Sequence, residues 1–452
     1  MPRPTPKRSL GTFALALSVF CVVSGGPFGL EETIHDAGPG LGVLLILLVP
    51  IFWALPDALT TAELAPAIPE EGGYVVWVRR AMGPFWGFVN GWWTWMYALV
   101  DATIYPVLFA SYLSRLLATV AGVPPFGHAL QWGTAVAVVA VFTALNVRGA
   151  GSVGRASVAF TGLIVVPFFL LAGIGLWRWT HDPRPMFSSF VPAGSTVRSA
   201  LADGLGVVMW NYLGWDALST VAGEVERPER AYPLALAVSL PLVVLVYLLP
   251  VLGTLPFVPD PALWAKDSWP DLARTVGGPW LGLAVNAAGL VSAAALFATS
   301  LLGSSRIPLV IAEMGFLPRG LLALHPRYGT PWRALLLCGA VYALMALQTF
   351  KSLVELNVIL YGAALLLEIG SLLLLRVKEP SLVRPFRIPG GWPALALILL
   401  APAAVIVTMA WTSVAEDGWA AQRLDLALLA SGPLVFVAVG LAKRIKQTFR
   451  PV

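Results

Sequence analysis

The chain alternates between long apolar runs and short segments rich in polar residues, proline or glycine. Most of the runs come close to the about 20 residues that a helix needs to cross a lipid bilayer. They lie at residues 10–35, 41–65, 84–114, 129–147, 156–178, 199–222, 233–255, 279–303, 332–350, 353–376, 393–414 and 424–442. The pattern predicts an all-α polytopic membrane protein with about twelve transmembrane helices, and it shows no separate soluble domain within residues 1–452.

Composition and charge agree with a membrane protein. Hydrophobic residues make up 58% of the chain and charged residues only 12%, about half the charged fraction of soluble domains. Of the 29 Lys and Arg residues, 21 fall on the side that also carries both chain ends. By the positive-inside rule, we expect both termini in the cytoplasm. The location expected for this multi-pass protein is the plasma membrane. The first apolar run has no small-residue cleavage site, so we interpret it as a retained helix.

The first apolar run is interrupted by the segment SGGPFGLEE, from Ser24 to Glu32. Pro27 has no N–H group, and glycines weaken helix propagation. The glycines of this segment are Gly25, Gly26 and Gly29. We therefore expect the first helix to unwind near its middle and to restart around Phe28. Non-helical backbone at that depth is tolerated only where it is buried in protein or lines a cavity.

The sixth run has a second interruption, WNYLGWDALS, with Gly214 between bulky neighbours and Asp216 shortly after it. Breaks in the first and sixth helices are what a pair of five-helix inverted repeats would supply. The two interruptions together predict a substrate site at the interface of the repeats.

Several carboxylates fall within or near the predicted helices, where a charged group costs about 2.5–3.5 kcal/mol at the bilayer centre. No lysine lies inside any predicted helix. Any proton-carrying group in these helices is therefore expected to be a carboxylate. The candidates are Asp57, Asp101, Asp216 and Glu368. Glu63, close to the PAIPEEGG turn, is interpreted as structural.

Five acids have both a structural and a functional interpretation. Asp57 is either a site residue or the cap of a restarting helix, and Glu368 is either a site residue or the partner of a neighbouring helix. Glu31 either complements the dipole of the restarted half-helix or opposes the binding of a substrate carboxylate there, which would favour a cationic amine. Asp101 is either a partner of the ligand or a buried hydrogen-bonding residue. Asp216 is either a site residue or the cap of a turn. Trp210, Trp215 and Tyr361 either pack or offer aromatic faces to an ammonium group.

The chain resembles the amino acid, polyamine and organocation permeases, and within them the polyamine-uptake branch of plants and protozoa. The resemblance covers roughly residues 10–442. It is carried by SGGPFGLEE, ELAPAIPEEGGYVVWVRRAMGPFWGFVNGWW, DATIYPVLFASYL, WNYLGWDALSTVAGEVERPERAYPLAL, SSRIPLVIAEMGFLPRGLLALHPRYGTP, LVELNVILYGAALLLEIGSLLLLR and RPFRIP.

The resemblance implies ten core helices in two inverted repeats, at residues 10–178 and 199–376, followed by two peripheral helices within 393–442. It also implies alternating access and proton-coupled uptake. The candidate substrate-binding residues are Ser24, Gly25, Gly26, Phe28, Gly29, Glu31, Asp101, Trp210, Gly214, Trp215, Asp216 and Tyr361.

The expected partners are a small amine or amino acid, a proton and the lipid bilayer; no cofactor, metal or nucleic acid is expected. A neutral or broad-range amino acid permease or exchanger is the alternative, and so is a membrane sensor that binds the ligand without net transport. A membrane enzyme is disfavoured, because no histidine-based triad, metal-ligand spacing or phosphate-binding loop appears in the spans.

Overall fold

The computed structural model describes residues 11–70, 72–148, 153–265, 268–419 and 422–448, and these residues form helices and no strand. The α-helices in chain order are α1 Thr12–Val23, α2 Leu30–Ala37, α3 Pro39–Val49, α4 Leu55–Ala67, α5 Gly73–Met82, α6 Pro84–Ala121, α7 His128–Val147, α8 Val153–His181, α9 Val197–Asn211, α10 Pro228–Thr254, α11 Trp269–Gly277, α12 Pro279–Ser304, α13 Ile307–Glu313, α14 Trp332–Met345, α15 Phe350–Lys378, α16 Gly391–Asp417 and α17 Arg423–Thr448.

The helices coincide with the predicted membrane spans. Within the described ranges, nine helical segments are long and apolar enough to cross a bilayer. The other three predicted spans correspond to shorter helices: α1 with α2, α9 with the 3-10 segment Ala217–Glu224, and α14. The all-α polytopic architecture predicted from the apolar runs is therefore confirmed.

The first span is broken as predicted, but the restart lies slightly later along the chain. Helix α1 ends at Val23, and α2 begins at Leu30 rather than near Phe28. Gly26 and Gly29 have φ angles of 100° and 89°, in the left-handed region that residues with a Cβ atom disfavour. Because Gly29 occupies this conformation at the N-cap of α2, Phe28 belongs to the non-helical segment.

The sixth span is also broken, and the segment after the break is not an α-helix. Helix α9 ends at Asn211, and Gly214 has a φ angle of 94°. The chain then forms the 3-10 segment Ala217–Glu224 before α10 begins at Pro228. The apolar pattern alone does not distinguish a 3-10 segment from an α-helical turn, because both keep apolar residues about three apart.

The second span contains a π-helical segment, Pro50–Ala54, between α3 and α4. The short helices α5 and α11 were not predicted. Each has apolar residues on one face only, such as Trp77 and Ala81 of α5, which are buried while Arg79 and Arg80 are exposed. Such amphipathic helices are shorter than a span and are missed by a search for long apolar runs.

The chain forms two compact units. The first comprises the described residues of Met1–Gly87, Val158–Ala288 and Gly362–Asp417, and the second those of Phe88–Ser157, Gly289–Tyr361 and Gly418–Val452. In the first unit, α1 packs on α10 and α2 packs on α9, which brings the two broken spans into one core. The division of the chain into inverted repeats at residues 10–178 and 199–376 stays a prediction.

Candidate substrate site

The two helix breaks lie side by side in the first unit, and Tyr247 of α10 joins them. Its hydroxyl donates to the carbonyl oxygen of Asn211 at 2.9 Å and lies 3.3 Å from the carbonyl oxygen of Val23. These two carbonyls belong to the last residues of α9 and α1. A side chain at Gly214 would place its Cβ 3.5 Å from Val22 Cγ1, so the breaks also approach each other directly.

The first break is enclosed by aromatic rings. Phe28 is buried and makes an edge-to-face contact with Phe168, with ring centroids 5.1 Å apart. Phe168 in turn packs edge-on against Trp269, whose indole N–H donates to the carbonyl oxygen of Pro27 at 2.9 Å. A Cβ at Gly26 would lie 2.9 Å from the ring of Phe28. Aromatic rings therefore pack against the unwound segment, and its glycines allow the positive φ angles of this conformation.

The first turn of α2 carries a buried acid. Glu31 is 1% exposed, and Glu32 is half-buried. Both stand in the first helical turn, where a carboxylate interacts favourably with the helix dipole. Ser24, which follows α1, is also buried. Ser24, Gly25, Gly26, Phe28, Gly29 and Glu31 all belong to this one segment of the first unit.

At the second break, Trp215 and Asp216 are buried, and Trp210 and Gly214 are half-buried. Asp216 is 2% exposed and directly precedes the 3-10 segment, where its carbonyl oxygen accepts from the Ser219 N–H at 2.8 Å. Trp215 is buried, and its indole N–H donates to the carbonyl oxygen of Tyr212 at 3.0 Å. The hydrogen bond of Trp215 stays within its own turn, which favours the packing interpretation for this ring.

Asp101 and Tyr361 lie in the second unit. Asp101 is half-buried on α6 and accepts a hydrogen bond from the Tyr105 hydroxyl at 2.9 Å. Tyr361 of α15 is buried and packs edge-to-face on Tyr97, with centroids 5.1 Å apart. Tyr97, Asp101 and Tyr105 follow each other at four-residue spacing and therefore share one face of α6.

The two remaining proton-coupling candidates, Asp57 and Glu368, are each 2% exposed. Asp57 stands in the first turn of α4, directly after the π-helical segment. Glu368 lies inside α15, and its backbone carbonyl accepts from the Ser371 hydroxyl at 2.6 Å. Both lie in the first unit, so all the carboxylate candidates except Asp101 belong to that unit.

The structure adds two residues that the sequence reasoning missed. Tyr247 bridges the two breaks, and Asn357 is fully buried on α15 one turn before Tyr361. The Asn357 amide donates to the Tyr97 carbonyl at 3.3 Å, and its Oδ1 atom accepts from no other described residue. Both are polar side chains in the interior of an apolar run, and that is the signal by which they could have been found.

Comparison with known proteins identifies the class of the molecule. The amino acid permease family matches residues 10–428. The chain belongs to the amino acid permease family. The permease is therefore a multi-pass membrane transporter and not an enzyme.

Proteins similar to the permease come from plants and bacteria. Polyamine transporter PUT1 of Oryza sativa subsp. japonica is 35% identical over 410 residues, which cover 90% of the permease and 75% of the plant protein. Polyamine transporter RMV1 of Arabidopsis thaliana is 34% identical over 422 residues, covering 91% and 84%. An uncharacterized transporter of Mycobacterium tuberculosis H37Rv is 30% identical over 355 residues, covering 76% of each chain.

Proposed function

We propose that the permease imports a cationic amine of the polyamine class, or a cationic amino acid, across the plasma membrane by proton-coupled alternating access. Both termini lie in the cytoplasm in this proposal, as the distribution of Lys and Arg between loops favours. Inward movement of each positive charge gains about 2.3 kcal/mol per 100 mV of membrane potential.

The observation that carries the proposal is the buried acid beside each break. Glu31 follows the first break with 1% exposure, and Asp216 follows the second with 2% exposure. Carboxylates inside membrane spans are costly and are usually kept where they meet a cation or a proton. Tyr247 links the two breaks, so both acids belong to neighbouring segments of the same core. The names of the plant relatives support the polyamine class.

A neutral amino acid is the second candidate substrate, and the dipole of α2 is the observation in its favour. This half-helix begins at the break, and its N-terminus carries the positive end of the helix dipole, which would attract a substrate carboxylate. Glu31 and Glu32 in the first turn oppose that attraction. The cationic amine is therefore preferred.

Uptake into proteoliposomes tests the proposal. The purified permease is offered putrescine, spermidine, arginine, lysine, leucine and alanine, with and without an inward proton gradient. We expect putrescine or spermidine to accumulate with the gradient and a protonophore to abolish accumulation. Preference for leucine or alanine would reject the cationic substrate, and binding of a ligand without uptake would make the protein a sensor.

A further inference from the structure

A groove on the second unit lies outside the candidate site. It runs between α7 and α14, which pack against each other, and has a volume of about 520 Å³. The wall consists of small and aliphatic side chains and ends at a polar rim. The residues that line it are Val136, Val139, Ala140, Thr143, Ala144, Val147, Arg148, His325, Tyr328, Leu336, Gly339, Ala340 and Ala343.

Two hydrogen bonds hold the helices together near the two ends of the groove. At one end the Trp132 indole N–H donates to the carbonyl oxygen of Ala343 at 2.9 Å. At the other end the Thr330 hydroxyl donates to the carbonyl oxygen of Val147 at 2.6 Å. The two bonds tie α7 to α14 and to the segment before it, so the space between them is a formed feature of the surface.

The length of the groove matches one leaflet of a bilayer. Its wall on α7 extends from Val136 to Val147, and eleven steps of about 1.5 Å give roughly 16 Å. The hydrocarbon core is about 30 Å thick, so the groove reaches from its polar rim to about the middle of the membrane. An extended acyl chain has this length and this apolar character.

The chemistry of the two ends is different. The rim carries the guanidinium of Arg148 and the imidazole of His325, which packs against the Tyr328 ring at 4.7 Å between centroids. Below the rim the described part of the wall offers no charged group, and the hydroxyl oxygen of Thr143 is buried against Gly339 of α14. A ligand with an anionic head and an apolar tail matches both parts of the groove.

We propose that this groove binds one anionic phospholipid. Its phosphate contacts Arg148 at the rim, and one acyl chain lies along the small residues of α7 and α14. In the orientation proposed above, the rim faces the cytoplasmic leaflet, where anionic lipids are concentrated. Basic pockets between membrane helices on that side are a recurrent form of lipid recognition.

Native mass spectrometry of the full-length protein tests this proposal directly. Phosphatidylglycerol and phosphatidylcholine with identical acyl chains are added to delipidated protein, and the bound copies are counted. We expect one tightly bound phosphatidylglycerol, with about fivefold preference over phosphatidylcholine, because one basic group near the membrane surface contributes an attraction of that size.

Two pairs of variants distinguish the contribution of the lipid head group from that of the acyl chain. Arg148→Gln should remove the preference, whereas Arg319→Gln, which neutralises an exposed arginine of the 3-10 segment Arg319–Leu322, should keep it. Ala144→Trp fills the groove and should remove the bound lipid, whereas Val141→Trp, on an exposed position of α7 outside the groove, should keep it.

Three outcomes would overturn the proposal. One is equal binding of the two lipids to the wild type, and another is retention of the lipid by Ala144→Trp. The third is a dimer that Ala144→Trp dissociates, which would assign the groove to a second copy of the chain. Because lipid is counted without any transport assay, these outcomes are independent of the substrate proposal.

Discussion

Glu63 of α4 and Arg376 of α15 form a two-point ion pair in the interior of the first unit. Arg376 Nε donates to one carboxylate oxygen at 2.9 Å, and its Nη2 atom donates to the other. The Ile388 N–H donates to the same carboxylate at 2.8 Å, and Arg384 Nε lies 3.3 Å from it. A single buried carboxylate therefore holds the end of α15 and the segment after it against α4, which agrees with the structural interpretation of Glu63.

Loss of this carboxylate should destabilise the permease strongly. We expect Glu63→Gln to cost about 3–5 kcal/mol, because removal of one partner leaves an uncompensated buried charge. Thermal unfolding of the purified protein in detergent measures the effect. The matched control is Glu379→Gln, which breaks the exposed pair between Glu379 and Arg80, 2.6 Å apart. Exposed pairs contribute about 0–1 kcal/mol, so equal destabilisation by the two variants would contradict the prediction.

The exposed pair should have a small effect that depends on pH. The hydrogen bond from Arg80 lowers the pKa of Glu379 below its ordinary value. A carboxylate with a lowered pKa in the folded state stabilises the fold above its unfolded pKa and loses this contribution as pH falls through the folded pKa. The small difference between wild type and Glu379→Gln should therefore disappear in acid, which thermal unfolding at a series of pH values can check. A stability difference between the two proteins that grows as the pH is lowered would contradict this prediction.

Valine at either break should abolish transport without preventing membrane insertion. Gly26 and Gly214 both have φ angles in the left-handed region, where a residue with a Cβ costs about 1–2 kcal/mol or more. The added atoms at Gly26 would also contact the Phe28 ring. Proteoliposome uptake and expression level are measured for Gly26→Val and Gly214→Val.

The control for these variants is Gly173→Val, in the interior of α8, where an added Cβ meets nothing within 4 Å. This variant should transport normally. Normal uptake by both break variants would place the ligand elsewhere in the protein.

Asp101→Asn should discriminate between substrates. If the carboxylate meets a substrate ammonium, its loss should weaken diamine uptake by about a hundredfold or more, since breaking a desolvated ion pair costs about 3–5 kcal/mol. Leucine uptake should change little. Tyr105→Phe removes the 2.9 Å hydrogen bond to Asp101 but keeps the carboxylate, so its diamine preference should survive.

A proton-carrying role for Asp101 gives a different result. Asp101→Asn would then lose accumulation against a gradient while exchange of substrate across the membrane continued. Wild-type affinity, coupling and pH dependence in this variant would make Asp101 a structural hydrogen-bonding residue.

Removal of the Tyr247 hydroxyl should slow transport. Tyr247→Phe loses the bond to the Asn211 carbonyl, and a buried hydrogen bond contributes about 1 kcal/mol. We expect normal insertion and a several-fold lower maximal uptake rate, because the two broken segments lose their common contact. Tyr232→Phe is the matched control: its hydroxyl donates to the Leu218 carbonyl at 2.7 Å and does not join the breaks. Equal slowing by both variants would show that the contact of Tyr247 with the two breaks is not the cause.

The apolar spans and the two breaks could be predicted from the sequence because their causes are local. A helix in lipid satisfies its own backbone hydrogen bonds, so the length of an apolar run is enough to predict it. The glycines at 26 and 214 interrupt such runs for an equally local reason, their tolerance of positive φ angles. The family resemblance rested on the same continuous motifs.

Tertiary structure decided which polar residues meet. Tyr247 contacts the ends of two helices that are 36 and 224 residues away in the chain, and Glu63 meets an arginine 313 residues away. The groove between α7 and α14 likewise depends on two helices far apart in sequence. No period of apolar residues encodes these pairings, because they depend on how helices pack against each other, and the packing is set by side-chain shape across the whole core.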